Sequence, residues 1–119
     1  MNSKQKFKFD DAPFDKRKQE SQRILLKYPD RVPIIVEIGA QSQLPELDKH
    51  KFLSPSDLTI GQFIYVIRKR IKLRPEQAIF LFINNQLPCT NTPLLQIYNE
   101  YKDTDGFLKC IISGESTFG

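Results

Sequence analysis

Three kinds of group in this 119-residue chain are equipped for covalent chemistry: the thiols of Cys89 and Cys110, the single imidazole of His50, and the carboxylate of Gly119. A cysteine hydrolase needs a thiolate, a histidine base and a group to orient the base. Cys110 stands in the apolar run Cys110-Ile111-Ile112 and reads as a small core residue. One histidine and two cysteines are also too sparse for a zinc site, so no metal and no cofactor is expected. Gly61 is isolated, which rules out a phosphate-cradling glycine loop; its small size suits close packing at a helix start. The end of the chain remains. Ser113-Gly114-Glu115-Ser116-Thr117-Phe118-Gly119 is a polar, glycine-punctuated tail that follows the last apolar run. Glycine has no Cβ, so its carboxylate can thread a narrow active site, and an extended tail can carry it clear of the folded body. That arrangement suits acyl activation.

The length makes one domain with one modest core. Hydrophobic residues are 39% and charged residues 27%, ordinary for a globular chain. The longest apolar run, Ala78 to Ile83, is far too short to span a bilayer. Residues Met1 to Phe9 are basic but lack the apolar stretch of a secretory signal. Two cysteines make no secreted-type disulfide framework, so a reducing, cytoplasmic setting with free thiols is expected. The net charge of +4 gathers in Lys16-Arg17-Lys18 and Arg68-Lys69-Arg70. No helix-turn-helix spacing, zinc ligand set or aromatic ribonucleoprotein motif accompanies it, so nucleic acid is not an expected partner. Acidic peptides or anionic lipid heads suit a basic surface better.

The elements that must position these groups follow in order. Asp11-Ala12-Pro13 reads as a helix start, and an amphipathic helix runs from Phe14 to Tyr28 with Phe14, Ser21, Leu25 and Tyr28 near one face and Ile24 beside it; Pro29 ends it. Arg31 to Ile38 is β-branched and reads as a strand, with Val32, Ile34, Val36 and Ile38 on one face. Pro33 lacks a backbone donor and belongs near the strand start or at an unpaired position. Lys51 to Ser54, stopped by Pro55, has the short, lysine-flanked look of an edge strand. Thr59-Ile60-Gly61-Gln62 has capping-box spacing, and Ile60, Phe63, Ile64, Ile67 and Ile71 form one helical stripe closed by Arg68-Lys69-Arg70. Ala78 to Ile83 reads as a strand covered on both faces, and Asn84-Asn85 as a turn. Thr92-Pro93 is expected to cap a short helix presenting Leu94, Ile97, Tyr98 and Tyr101. Asp105-Gly106 turns the chain into a last strand, Phe107 to Ile112. A hairpin, a crossing helix and returning strands make an α+β, ubiquitin-like β-grasp with a four-stranded mixed sheet. Residues 1–28 form a helical extension, residues 29–119 the β-grasp domain, and 113–119 its tail.

Several strings in this order and spacing carry a resemblance: Phe14-Asp-Lys-Arg-Lys, Pro29-Asp-Arg-Val-Pro, Leu44-Pro-Glu-Leu-Asp-Lys, Lys51-Phe-Leu, Asp57-Leu-Thr-Ile-Gly-Gln-Phe, Val66-Ile-Arg-Lys-Arg-Ile, Asp103-Thr-Asp-Gly-Phe-Leu and Thr117-Phe-Gly. Together they resemble the autophagy ubiquitin-like modifiers of the GABARAP type, from about Phe14 to Gly119. The resemblance implies that the glycine carboxylate is adenylated, passed as a thioester through activating-like and conjugating-like enzymes, and joined to the amine of phosphatidylethanolamine on autophagosomal membranes. Gly119 would then be the site of lipid conjugation, Thr117 and Phe118 would hold the tail for the enzymes, and the protein would catalyse nothing itself. Two acyl chains on one lipid anchor far better than one. Family precursors carry residues beyond the glycine that a cysteine protease removes; none follows Gly119 here, which fits either a processed form or a member that needs no processing.

The resemblance also implies docking of receptors and adaptors through aromatic-x-x-aliphatic peptides. An exposed strand edge accepts an extended peptide by main-chain hydrogen bonds, and two side-chain pockets then give specificity. By carry-over the aromatic pocket is lined by Glu20, Ile24, Pro33, Ile35, Lys51, Leu53 and Phe107. The aliphatic pocket is lined by Phe52, Pro55, Leu58, Phe63 and Val66. Arg31, Lys49 and Arg70 form a basic rim that would steer acidic flanks. Read without the family, Ile35, Phe63 and Phe107 read sooner as core than as lining, and Lys49 and Lys51 could be ordinary edge protection. Ser54 stands where the family more often has an aliphatic residue, which would make the second pocket smaller and more polar. Two other functions fit a β-grasp: an unconjugated peptide-binding adaptor, and a modifier of protein lysines. Nothing suggests a stable oligomer, so a monomer is expected.

Overall fold

The computed structural model describes residues 6–115. The elements are a 3₁₀ turn at Lys8–Asp11, α1 (Phe14–Lys27), β1 (Arg31–Ile38), β2 (Lys51–Pro55), α2 (Ile60–Arg70), β3 (Phe80–Phe82), α3 (Leu94–Tyr101) and β4 (Leu108–Ser113). The sheet runs β2-β1-β4-β3, with β1 and β4 parallel at its centre and antiparallel strands at both edges. This is the α+β mixed sheet with a crossing helix, preceded by helical structure, that the sequence pattern leads one to expect. Among the described residues no helix is long and apolar enough to cross a membrane.

The period-2 alternation of β1 divides the molecule. Val32, Ile34 and Val36 enter the main core with Phe52, Phe63, Ile67, Leu81 and Leu108. The other face of the same strand places Ile35 in a second, smaller cluster with Ile24 of α1 and Phe107. Cys110 is buried in the main core, and burial pushes its thiol far above the ordinary range, so it is a core side chain and not a nucleophile.

Local chemistry explains the helix ends. Thr59 accepts from the Gln62 amide (3.2 Å) while the Gln62 side chain accepts from the Thr59 amide (2.9 Å), a complete capping box. A Cβ on Gly61 would come within 3.3 Å of the Thr90 carbonyl oxygen, which is why glycine stands there. The expected cap of α3 at Thr92-Pro93 is there, with no side-chain hydrogen bond. Pro93 is its N-cap, and the Leu94 and Leu95 amides donate instead to the carbonyls of Leu58 (2.7 Å) and Ser56 (3.0 Å). Tertiary carbonyls thus satisfy the orphan donors that a local cap would otherwise serve.

Several expectations are corrected in detail. In α1 only Ser21 and Ile24 are buried, while Phe14 and Tyr28 are exposed. Ser21 is buried because its hydroxyl donates to the Asp105 carbonyl (2.6 Å). The strand anticipated over residues 78–83 pairs only at Phe80–Phe82, and Ile83 bridges back to Gln86 across Asn84 and Asn85, both in the left-handed region.

Candidate functional site: a free strand edge between two apolar clusters

β2 is an edge strand, and its phase decides which of its backbone groups face outward. The Val36 amide donates to the His50 carbonyl (2.8 Å), and the register pairs Ile35 with Lys51, Ile34 with Phe52 and Pro33 with Leu53. Antiparallel pairs alternate between hydrogen-bonded and non-bonded. Phe52 and Ser54 therefore bond to β1, and Lys51 and Leu53 turn their N–H and C=O groups to the open side. Pro33, lacking a donor, stands in a non-bonded pair with β2 and ahead of the first β4 partner, Ile34. Arg31 Nη1 donates to the outward Leu53 carbonyl at 2.8 Å, so a cation covers one acceptor of this edge.

Side chains on the edge alternate too. Lys51 and Leu53 point to the α1 side, where Leu53 packs against the Ile24–Ile35–Phe107 cluster. Lys51 Nζ is ion-paired with Glu20 of α1 across this cluster. Pro33 shares this face of β1 with Ile35. The structure thus brings together the seven residues expected to form an aromatic pocket: Glu20, Ile24, Pro33, Ile35, Lys51, Leu53 and Phe107.

On the opposite side, Phe52 and Phe63 meet edge to face at 5.6 Å and are 4% and 0% exposed. Both belong to the main core, so on this face they stand as the buried floor beneath any aliphatic pocket. Leu58 is half-buried against the same core, and Pro55 and Val66 are the exposed lip. Ser54 is buried on this face as well, opposite Val32, and not on the lip.

The basic rim is partly neutralised. Arg70 pairs with Asp48 at 3.4 Å across the exposed surface, a contact worth little. Lys49 Nζ lies 5.1 Å from the Phe52 ring centroid. Arg31 is committed to the strand edge. Thr117, Phe118 and Gly119 lie outside the described residues.

Sequence reasoning missed a charged cluster behind the expected aromatic pocket. Asp105 is fully buried and accepts from Arg17, from Lys109 (2.9 Å) and from the Phe107 amide (3.0 Å). Lys109, 8% exposed at its side chain, also reaches Asp10 (2.6 Å) and Asp103 (2.8 Å). Burial alone would lower the Lys109 pKa; the hydrogen bonds to three carboxylates outweigh it, and the ammonium titrates above its ordinary value. Next to it, Gly106 takes φ +90°, and a Cβ there would meet Ser21 Oγ at 2.2 Å. The only local signals were the Asp105-Gly106 turn and a lysine at an inward strand position.

Comparison with known proteins places this geometry. A family profile described as "Autophagy protein Atg8 ubiquitin like" matches residues 16–119. Autophagy-related protein 8 of Schizosaccharomyces pombe is 59% identical over 110 residues, covering 92% of this chain and 91% of that one. Autophagy-related protein 8e of Arabidopsis thaliana is 56% identical over 119 residues, covering 100% and 97%. The crystal structure of Trypanosoma brucei ATG8 superposes with a TM-score of 0.87 at 43% identity over 98% of this chain and 100% of that chain. Plasmodium falciparum Atg8, solved in complex with a Plasmodium falciparum Atg3 peptide, superposes with a TM-score of 0.86 at 33% identity over 96% and 100%.

Proposed function

Because the chain belongs to the Atg8 family of ubiquitin-like autophagy proteins, we propose that it works as a lipid-conjugated docking module. In this reading Gly119 is joined through its carboxyl group to phosphatidylethanolamine. The edge of β2 recruits receptors bearing aromatic-x-x-aliphatic segments. Thr117 and Phe118 guide the tail into activating-like and conjugating-like enzymes, and a cysteine protease processes or releases it. The chain serves as substrate and adaptor in these reactions, not as catalyst. Its lipid-free form belongs to the cytoplasm and its conjugated form to the autophagosomal membrane.

One observation carries the docking half: the outward groups of Lys51 and Leu53 lie between two apolar clusters on opposite faces of one sheet. An extended peptide added beside β2 turns residues i and i+3 to opposite faces, because three is odd and the strand period is two. One side chain then meets the Leu53–Lys51–Glu20 surface, and the other meets Leu58, Pro55 and Val66. A spacing of two or four would send both side chains to the same face. An odd spacing such as three therefore suits where the clusters lie, and the aromatic-x-x-aliphatic form has it. The Atg3 peptide on the Plasmodium relative supports a conjugating-type enzyme among the partners. The conjugation half rests on the family match running through Gly119.

The test is reconstitution of the full chain with the activating and conjugating enzymes of its own source and phosphatidylethanolamine vesicles, followed by mass spectrometry of the C-terminal peptide. The expected product is an amide at Gly119 that Gly119→Ala abolishes while motif-peptide affinity is unchanged. An isopeptide to lysine makes the chain a protein tag. A carboxylate that stays free while peptides still bind makes it an unconjugated adaptor.

A further inference from the structure

The aromatic pocket has a wall that none of the seven expected residues supplies. Phe9, in the 3₁₀ turn ahead of α1, sets its ring edge to face on Phe107 with centroids 4.8 Å apart. Phe107 is completely buried while Phe9 is only half-buried. The aromatic surface that this cluster turns outward is therefore that of Phe9 and Phe7 and not that of Phe107, and of the two it is Phe9 that lies beside Lys51. Lys51 Nζ, already paired with Glu20, lies 5.8 Å from the Phe9 centroid. Phe9 thus borders the same opening as Leu53, Lys51 and Glu20.

The turn that presents this ring is fixed from several directions. The Lys8 and Phe9 amides donate to the two oxygens of Glu37, at 2.9 and 3.0 Å. Glu37 lies two residues beyond Ile35 on the same face of β1 and is itself buried. Asp10, the next residue, accepts from Lys109 at 2.6 Å. Arg17 Nε closes the segment onto α1 through the Ala12 carbonyl (2.9 Å). A turn held through its backbone by a bidentate carboxylate and through Asp10 by a part-buried ion pair does not swing aside at low cost.

We infer that Phe9 is a specificity-determining wall of the aromatic pocket, positioned by Glu37, and that an incoming peptide aromatic packs directly against its ring. The inference rests on the docking reading above. Aromatic pairs add to binding beyond their buried area, which places the expected loss on removing the ring at about two- to ten-fold in Kd.

Calorimetric titration of the full chain with a Trp-x-x-Leu peptide and its Trp-x-x-Ala partner tests it. Phe9→Ala and the volume-keeping Phe9→Leu are both expected to weaken the Trp-x-x-Leu peptide within that range. The cost of the peptide's Leu→Ala change should stay the same in every protein, because it reports the opposite face. Glu37→Ala is expected to weaken binding as well, with no further loss in the Phe9→Ala background. Should Phe9→Ala fail to fold, Phe9→Leu decides. Tighter binding on losing the ring would make Phe9 a plug, and unchanged affinity would place it outside the pocket; either outcome overturns the inference while leaving the docking reading intact. Additive losses from Phe9 and Glu37 overturn the positioning role. A wild-type chain that binds neither peptide overturns the docking reading and this inference with it.

Discussion

On the α2 side of the sheet, Phe63 and Phe52 interlock with Ile34, Ile67 and Leu108 in a continuous apolar core. On the α1 side three fully or nearly buried side chains, Ile24, Ile35 and Phe107, form a cluster ringed by ions: Glu20 with Lys51 at the mouth, and Asp10, Arg17, Asp105 and Lys109 behind. The first side is held by area removed from water, the second by charges that must stay paired. The contrast suits the proposed work. An edge-bound peptide needs one rigid floor that many aliphatic side chains can meet, and one chemically defined recess that selects an aromatic. It also divides stability from recognition. Changes on the α2 side should unfold the molecule, and changes on the α1 side should detach the extension while the sheet survives.

Phe63→Ala puts the sharpest strain on this contrast. The ring is fully buried and stacks edge-on against Phe52, so its loss leaves a cavity in the main core and is expected to cost about 3–5 kcal/mol. Urea unfolding should show a lower midpoint with an unchanged slope. Loss of peptide binding should then follow the unfolded fraction and not a change in intrinsic affinity. A variant that stays as stable as wild type while losing only the peptide would break the division, because Phe63 would then be pocket lining and not core.

Lys109→Met probes the other side. Removing one cation from a nearly buried cluster leaves Asp105 and Asp10 dependent on Arg17, at a cost of about 3 kcal/mol. The sign of the pH dependence is fixed by the direction of the shift. The folded-state pKa of Lys109 is raised, so its contribution is complete below the ordinary lysine value of about 10.4 and disappears as pH rises through the folded value. Wild type should lose stability along this alkaline limb, and Lys109→Met should lose that part of the slope. Hydrogen exchange should show the amides of Lys8 and Phe9 opening before those of β1. Equal loosening of β1 would merge the two sides into one cooperative unit.

The two sides also differ in how far the sequence disclosed them. The α2 side was legible because its signals are local: the period-2 alternation of Val32, Ile34 and Val36, the stripe of Ile60, Phe63 and Ile67, and the Thr59–Gln62 capping box all lie within one element each. What the sequence left open there was depth, since family resemblance names lining residues without saying how deep Phe52 and Phe63 lie. The charged cluster of the α1 side was illegible for a topological reason. Arg17 and Asp105 are 88 residues apart and Asp10 and Lys109 are 99 apart, and only the parallel pairing of β4 beside β1 brings them together. Phe9 stands out in the sequence as an isolated aromatic able to pack back on the fold, but a phenylalanine in a polar stretch has no periodicity to reveal its partner. The start of α3 belongs here too: its donors are met by carbonyls of residues 56 and 58, contacts that no local pattern encodes.

The smallest expected effect falls at the seam between the two sides. Ser54 bonds to β1 on the edge strand, is buried on the α2 face and stands opposite Val32. A valine there would form a β-branched cross-strand pair with Val32 and bury two methyl groups in place of a hydroxyl. The expected gain is about 0.5 kcal/mol, read as a slightly higher urea midpoint. Because Phe52 and Ser54 share one face, the extra volume also reaches the floor beneath Leu58 and Pro55. A panel of motif peptides carrying Leu, Ile or Val at the aliphatic position should therefore change rank while none loses binding, and their aromatic positions should respond as in wild type. Unchanged ranking would confine Ser54 to the core. A changed response at the aromatic position would mean that the two faces communicate through β2, and the separation of stability from recognition would have to be redrawn along the strand and not across the sheet.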